Sequence, residues 1–519
     1  MSEAKKKFYI TTAIDYVNGQ PHLGHAYEKV LADVIARSRR CLGEEVFFLT
    51  GLDEHGQKVQ QAAQAEGKDP QRYCDDLAAD WNGFIAKLGL SNDDFVRTSQ
   101  DRHKKVVQTI LSRLNEAGQF YRETYRGFYS TSAETFLTEK DRRPDGTFDA
   151  SWGKVVELKE ENYYFRLGAH QEWLIEYIEA HPDFVVPEYR KNEVLGFLRS
   201  EKLEDLCISR PKARLEWGIP IPFDADYVTY VWFDALVNYV SVPCARGDAG
   251  ALAALGKKAQ EDFAAWPADV HLIGKDILKF HAVYWPIMLK AMGLELPRQL
   301  LVHGWWQKNG EKLSKSTGNV VDPVAVIDEW GVDAFRYYLT RELDIGPDGN
   351  WTDEGFRARY QSELANGLGN LVNRSLSMLK RYRGGVVPQG ENQLAREIEE
   401  ARQQTIAAYR GYHLQEAVER IGALITRANQ YIDQTSPFKI AKDAARAGEL
   451  DSILYTLVEV CRELGELLWP VIPATAEKIQ AQLGFGAAQP KLGHRRPDVP
   501  AGHAIGEVFA LFPRKDEKK

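Results

Sequence analysis

Two short motifs in this sequence of 519 residues contain residue types that phosphate chemistry uses. The first is HLGH over residues 22–25, in which His22 and His25 flank a glycine. Histidines can donate hydrogen bonds to phosphoryl oxygens whose charge grows in a transition state, and Gly24 lets a nucleotide base approach the backbone closely. A histidine at the start of a helix is, however, often only a cap. The motif alone leaves both interpretations open.

The second motif is KLSKS over residues 312–316. Its two lysines, Lys312 and Lys315, can hold a triphosphate as point charges. An ordinary surface loop can have the same composition. HLGH after a first predicted strand and KLSKS after a later one rarely occur together by chance, so the pair favours an ATP site. Its predicted residues are His22, Gly24, His25, Lys312, Ser314, Lys315 and Ser316.

Hydrophobic patterning predicts the elements that position the first motif. Residues 8–14 are typical of a buried strand, residues 24–42 of a helix and residues 46–49 of a second strand. This order predicts two parallel strands joined by a right-handed crossover. Ligands bind beyond the carboxyl ends of such strands, so residues 11–25 and 50–55 are expected to face one crevice.

The chain is too long for one hydrophobic core, and the type of predicted secondary structure changes along the sequence. We predict an α/β fold with a Rossmann-like parallel sheet domain, a β-rich insertion and a following all-α helical bundle. The predicted boundaries are 1–120 and 227–320 for the two halves of the sheet domain, 121–226 for the insertion, 321–365 for a linker region, 366–485 for the bundle and 486–519 for a C-terminal tail.

Composition excludes several classes of protein. A net charge of -8 and a pI of about 5.9 give no global electrostatic case for nucleic acid, so any RNA contact must come from local patches. None of the five cysteines forms a CxxC pair. The N-terminus lacks the features of a secretory signal, and no run of about 20 apolar residues is present. We therefore expect a cytoplasmic protein without membrane contact.

Longer runs around both motifs carry a resemblance to a known family. The segments TTAIDYVNGQPHLGHAYEKVLADV, FFLTGLDEHGQKV, YVWFDALVNY, GKDILKFHAVYWP and VHGWWQKNGEKLSKSTGN resemble the methionyl-tRNA synthetases, which belong to the class I aminoacyl-tRNA synthetases. The HIGH and KMSKS signatures of that class appear here as HLGH and KLSKS. The resemblance covers the chain from Tyr9 to about Leu483.

The resemblance implies an enzyme that uses ATP with Mg²⁺ to activate L-methionine as methionyl-adenylate, and then transfers it to tRNA(Met). His22, His25, Lys312 and Lys315 would be the catalytic residues, and tRNA would be bound through its acceptor end and its anticodon. Residues 321–365 would then contact the acceptor stem. A synthetase for leucine, isoleucine, valine or cysteine, and a non-catalytic RNA-binding relative, remain the alternatives.

The resemblance also implies the amino-acid pocket. Asp53 would bind the α-ammonium of methionine, although an Asp before a helix is also a common cap. Tyr239 would donate a hydrogen bond to the thioether sulfur. The family often has proline where this chain has Leu236, which leaves the local wall geometry open. The predicted methionine-binding residues are Ile14, Tyr16, Asp53, Trp232, Ala235, Leu236, Tyr239, Ile277, Phe280, His281 and Trp285.

In the helical region, the residues that correspond to the family's anticodon readers are Asn370, Arg374 and Phe438. Asn370 and Arg374 lie one helical turn apart, on the face opposite an apolar stripe. Phe438 follows a proline where the family usually has tryptophan. A core role for this phenylalanine is the alternative.

Many members of the family bind zinc in the insertion, but residues 127–167 contain neither cysteine nor histidine. We therefore expect no zinc, since its usual ligands are missing from this segment. We further expect a monomer without an obligate protein partner.

Overall fold

In the computed structural model, the described residues are 6–17, 19–130, 135–137, 139–246, 266–312, 319–494 and 496–515. The strands are β1 (Lys7–Thr12), β2 (Asp15–Tyr16), β3 (Glu45–Asp53), β4 (Asp94–Arg97), β5 (Phe120–Ser130), β6 (Thr135–Leu137), β7 (Val155–Phe165), β8 (Val185–Val186), β9 (Leu206–Cys207), β10 (Ser209–Pro211), β11 (Tyr227–Thr229), β12 (Val270–Gly274), β13 (Leu300–His303), β14 (Trp306–Lys308), β15 (Glu311–Lys312) and β16 (Gly349–Trp351).

The helices alternate with these strands in the first two thirds of the chain and then follow one another. They are α1 (Leu23–Cys41), α2 (Gln57–Ala65), α3 (Pro70–Leu88), α4 (Asp101–Glu116), α5 (Gln171–Ala180), α6 (Glu188–Ser200), α7 (Val231–Leu236), α8 (Asn238–Arg246), α9 (Trp285–Met292), α10 (Pro323–Trp330), α11 (Val332–Arg341), α12 (Asp353–Arg359), α13 (Asn370–Arg383), α14 (Ala395–Arg410), α15 (Leu414–Thr435), α16 (Pro437–Ile440), α17 (Ala447–Leu467) and α18 (Pro473–Gln482).

A parallel sheet forms the centre of the first part of the chain. Its strand order is β2-β3-β1-β12-β13-β8, and β4 pairs with β3. Strands β1 and β3 are parallel neighbours joined through α1, which is the predicted strand-helix-strand unit. The α/β fold class is confirmed. Strand β8 lies within residues 121–226, the predicted insertion, yet it pairs with β13 in the main sheet.

The β-rich part of residues 121–226 is a separate antiparallel sheet. Strands β5 and β7 pair along their whole length, with β6 and β9 on either side. The chain then returns to the main sheet through α7 and α8. Nearly every position of α1 is buried, because the helix packs against β1 and β3 on one side and against α11 and α14 on the other.

The helical region is fastened to the sheet domain by a buried arginine. Arg336 of α11 is fully buried, and its guanidinium donates to the Asp33 carboxylate of α1 at 2.6 Å. It also donates to the backbone carbonyls of Leu88 at 3.2 Å, Pro470 at 3.1 Å and Val471 at 2.8 Å. One side chain thus joins α1, the end of α3 and the turn between α17 and α18.

The segment after α18 runs back over the rest of the protein. The backbone N–H of Leu492 donates to the carbonyl of Cys41, at the end of α1. Further on, the hydroxyl of Tyr360 donates to the carbonyl of Pro513. Among the residues described, no helix is long and apolar enough to cross a bilayer.

Candidate active site

The HLGH motif forms the N-terminus of α1. His22 is the N-cap, and its Nδ1 accepts from the N–H of Gly24 at 3.1 Å. The N–H of His22 in turn donates to Nδ1 of His25 at 3.2 Å, so the two rings stack with their centroids 3.6 Å apart. Capping engages Nδ1 of each ring, and both residues also line a large cavity. The two interpretations of the motif are therefore compatible.

The glycine of the motif is needed for space. A Cβ atom at Gly24 would lie 3.0 Å from Cε1 and 3.2 Å from Nδ1 of His22, closer than ordinary contacts. The small residue therefore keeps the His22 ring in its capping position. It also leaves the first turn of the helix open to a phosphate, which the exposed N–H groups and the helix dipole favour.

The cavity has a volume of about 550 Å³ and lies beyond the carboxyl ends of β1, β3, β12 and β13. It contains most of the residues predicted from the resemblance. The predicted methionine residues that line it are Ile14, Tyr16, Asp53, Trp232, Ala235, Leu236, Tyr239, Ile277 and His281. Of the two segments predicted to face one crevice, residues 13–16, His22, Gly24 and His25 of the first and Asp53 of the second line this cavity.

Two predicted residues lie behind the cavity wall instead. The ring of Phe280 stacks on Trp232 with centroids 3.6 Å apart and planes 7° apart. Trp285 is fully buried, and its Nε1 donates to Nε2 of His271 at 3.2 Å. Both residues shape the wall from outside without lining the cavity.

Asp53 ends β3, and its side chain lines the cavity. The following helix, α2, begins after Gly56, which is its N-cap residue and makes no side-chain hydrogen bond there. Asp53 is therefore not the N-cap residue of α2, and its ammonium-binding role stays a prediction. A buried carboxylate at this point suits an α-ammonium group, because opposite charges attract strongly away from water.

The KLSKS motif is described only at its first residue, whose backbone belongs to β15. Ser314, Lys315 and Ser316 lie outside the described residues, as does the side chain of Lys312. Both flanks of the segment border the cavity, through Trp306 before it and Val321 after it.

Tyr239 makes a hydrogen bond that the sequence did not indicate. Its hydroxyl lies 2.7 Å from Nε2 of His281, whose Nδ1 lies 3.0 Å from the carbonyl oxygen of Ile277. Burial lowers the pKa of His281 to about 4, so the ring is neutral. A carbonyl can only accept, so we assign the ring proton to Nδ1. The Tyr239 hydroxyl then donates to Nε2 in this structure, and its hydrogen bond to a thioether stays a prediction.

A buried ionic cluster at the cavity wall, to which Asp15 and Glu28 contribute lining, was missed by sequence reasoning. Lys29 is fully buried, and its Nζ lies 3.0 Å from Oδ2 of Asp15, Oε1 of Glu28 and the carbonyl oxygen of Ala13. Burial raises the pKa of Asp15 to about 7. Burial opposes ionisation of Glu28 too, but Lys29 holds the pKa of that carboxyl below its usual value. One lysine thus balances one ionised carboxylate.

The predicted anticodon residues lie far along the chain, in the helical region. Arg374 of α13 forms an ion pair of 3.1 Å with Asp433, near the end of α15. Phe438, in the short helix that follows, is 47% exposed. The alternative that Phe438 is a core residue is therefore wrong. Asn370 is half-buried at the start of α13.

All five cysteines are buried and free. Within the described ranges no three His, Cys, Asp or Glu side chains form a group that could hold a metal ion. The expected lack of zinc stays a prediction.

Comparison with known proteins gives consistent matches. The family model described as tRNA synthetases class I (M) matches residues 8–147 and 149–376. The methionine–tRNA ligase of Clostridium perfringens is 42% identical over 519 residues, which are 99% of this chain and 78% of that protein. That of Bacillus subtilis is 42% identical over 505 residues, covering 93% and 74%.

Comparison with solved structures also gives matches to methionyl-tRNA synthetases. The Mycobacterium tuberculosis methionyl-tRNA synthetase in complex with methionyl-adenylate superposes with a TM-score of 0.89 at 37% identity, covering 98% of this chain and 100% of that one. Its apo form gives a TM-score of 0.84 at 34% identity, with 99% of both chains covered.

Proposed function

This chain belongs to the class I (M) family of tRNA synthetases, and on that premise we propose how it acts as a methionine–tRNA ligase. ATP and L-methionine react to give methionyl-adenylate and pyrophosphate, and the aminoacyl group then passes to tRNA(Met) with release of AMP. The observation that most supports this function is that HLGH, Asp53 and the aromatic wall meet in one cavity.

The first step is an attack of the methionine carboxylate on the α-phosphorus of ATP. Asp53 holds the α-ammonium, and the wall formed by Trp232 and Tyr239 encloses the thioether side chain. Contact between aromatic rings and a polarizable sulfur is favourable, which suits methionine. With both ends held, the carboxylate is presented to the phosphate, and such positioning supplies much of the rate enhancement of a two-substrate reaction.

Charge stabilisation completes the step. His22 and His25 lie at the positive end of α1, where growing charge on the α-phosphate is stabilised. Lys312 and Lys315 neutralise the leaving pyrophosphate, and Mg²⁺ enters with ATP as part of the substrate. No side chain of this site needs to act as a nucleophile.

The second step requires tRNA. In our proposal its anticodon contacts Asn370, Arg374 and Phe438, and its acceptor end reaches the cavity past residues 321–365. An asparagine and an arginine can read the edges of unstacked bases, and the exposed ring of Phe438 offers a stacking surface.

Amino-acid-dependent exchange of pyrophosphate into ATP tests the proposal. Methionine should support exchange far better than leucine, isoleucine, valine or cysteine. Lys315→Ala should slow exchange much more than it weakens methionine binding, because the lysine acts on charge that develops in the transition state. Lys105→Ala, at an exposed position of α4, is the matched control and should leave exchange unchanged. Exchange that depends on another amino acid would refute the assignment.

A further inference from the structure

A second buried polar cluster lies behind the wall of the cavity. It consists of His55, His103, Asp234 and Ser241, each at most 3% exposed. None of the four lines the cavity. His55 follows Asp53 by two residues, and Asp234 lies on α7 between Trp232 and Ala235, which do line it. The cluster therefore connects the two parts of the site that would hold opposite ends of methionine.

The central contact is a hydrogen bond between His55 and Asp234. Nδ1 of His55 lies 2.9 Å from Oδ2 of Asp234, and Nε2 of His103 lies 3.8 Å from Oδ1. Burial alone would raise the pKa of Asp234, but the adjacent His55 and His103 hold it below its usual value. An ionised carboxylate can only accept, so Nδ1 of His55 donates to it. Charge-assisted bonds of this kind are about twice as strong as neutral ones.

The other residues of the loop after β3 make hydrogen bonds to different parts of the protein. The carboxylate of Glu54 accepts from Arg97 at 2.6 Å and from Ser99, at the edge of the sheet. The N–H of Gly56 donates to the carbonyl of Trp217, in the segment after the antiparallel sheet. These bonds fasten the loop to the sheet and to residues near 217, whereas the bond from His55 fastens it to α7.

We infer that His55 is a positioning residue for methionine. Its hydrogen bond to Asp234 sets the distance between the carboxylate of Asp53 and the thioether wall on α7. This inference rests on the proposed function. Methionine must reach Asp53 with its ammonium and the wall with its side chain simultaneously. A shift of about 1 Å between two such groups is enough to cost a hundredfold in rate.

Two isosteric substitutions separate the hydrogen bond from the shape of the side chain. In His55→Asn the side-chain amide nitrogen of asparagine is separated from Cβ by the same number of bonds as Nδ1 of histidine. The hydrogen-bond donor is therefore kept. His55→Leu has nearly the same shape and no donor. We expect the asparagine variant to keep the KM for methionine within about threefold, and the leucine variant to raise it about tenfold or more, as loss of a hydrogen bond to a charged group does. The KM for ATP should stay within about threefold in both, because ATP makes no contact with α7 in this scheme.

An analogue that lacks the ammonium gives a second readout. The compound 4-(methylthio)butanoate can occupy the thioether wall but cannot pair with Asp53. Its inhibition constant should be the same for the wild type and His55→Leu, since only a ligand that spans both parts senses their separation. A purely structural defect would weaken both ligands together.

The outcomes are distinct. An unchanged KM for methionine in His55→Leu, equal defects in the leucine and asparagine variants, or a parallel rise in the KM for ATP would each overturn the inference. If His55→Leu does not fold, Asp234→Asn replaces it: this variant keeps a neutral acceptor and should raise the KM for methionine several-fold, and no change would overturn the inference. A wild-type protein without methionine-dependent exchange would instead refute the proposed function, and the inference with it.

Discussion

Replacing Lys29 with methionine should destabilise the protein, and the loss should grow with pH. Methionine has a similar unbranched shape, so packing within α1 is largely kept while the charge is removed. The ammonium group that disappears lies 3.0 Å from both the Asp15 and the Glu28 carboxylates, at a fully buried position. The variant therefore leaves buried acid groups without their cation.

The size of the effect follows from which carboxylate is charged. Removing one partner of a buried ion pair typically costs about 3–5 kcal/mol. The pKa of Asp15 is about 7, so below neutral pH this carboxyl group is largely protonated. Removing Lys29 then costs it little stabilising interaction. The cost then comes mainly from Glu28, whose pKa Lys29 holds below its usual value. At pH 8 Asp15 is largely ionised as well and also loses its cation, so we expect the free energy of unfolding to fall there by at least about 3 kcal/mol, the lower end of that range.

The pH dependence has a definite sign. A lowered pKa of Glu28 stabilises the wild type above the usual value of 4.5, and this contribution is lost as the pH falls. Without Lys29, only the neighbouring His303 opposes the effect of burial, and we expect the pKa of Glu28 to rise above its unfolded value. The variant then becomes progressively less stable as the pH rises above about 4.5. The difference between the two proteins should be small at pH 4 and large at pH 8.

Urea unfolding followed by tryptophan fluorescence at several pH values measures this difference. The double variant Lys29→Met with Glu28→Gln is the control, and it should recover much of the lost stability because the unpaired charge of Glu28 is removed as well. A loss below about 1 kcal/mol at pH 8, far less than removal of a buried partner costs, would refute the reasoning. So would a loss that is the same at pH 4 and pH 8.

Three further substitutions test other parts of the molecule. Asp53→Asn should raise the KM for methionine about tenfold, since a neutral hydrogen bond replaces a charge-assisted one; unchanged exchange kinetics would remove Asp53 from the ammonium site. Arg374→Ala should strongly reduce charging of a tRNA with the CAU anticodon and leave methionine-dependent exchange intact, and a parallel fall in both would show a structural role. Burial raises the pKa of Glu463 to about 7, against the opposing effect of Arg402, so its contribution to stability is present below 4.5 and lost as the pH rises through 7. Glu463→Gln should therefore show a smaller drop in melting temperature between pH 5 and pH 8 than the wild type, and an equal drop would contradict this.

Local patterning predicted the first strand-helix-strand unit well. The helix predicted at residues 24–42 is Leu23–Cys41, and the predicted strands correspond to Lys7–Thr12 and Glu45–Asp53. The hydrophobic run and the motif before the helix are both local signals, so their positions follow from the sequence itself. The pocket residues came from the family resemblance, and the cavity brings most of them together.

The features that were missed depend on contacts between distant segments. Glu28 and Lys29 are typical of a solvent-facing helical surface, and they are buried here through contacts with Asp15, the carbonyl of Ala13 and His303 at the ends of the strands. The partner of Tyr239 depends on His281, whose tautomer is set by the carbonyl of Ile277. Strand β8 has two residues, too few to show a strand pattern. Sequence spacing carries no information on such contacts.

The guanidinium of Arg336 limits how this protein can be divided or recombined. Two of its acceptors are carbonyl oxygens of Pro470 and Val471, which belong to the helical region, while Arg336 itself precedes that region in the chain. A fragment that stops near residue 365 would leave a buried cation with part of its acceptors missing, and such groups are costly. A helical region transplanted from a relative would have to present two carbonyls at the same place. The helical region is therefore not an interchangeable module, and a hybrid protein would have to inherit this turn together with the helices.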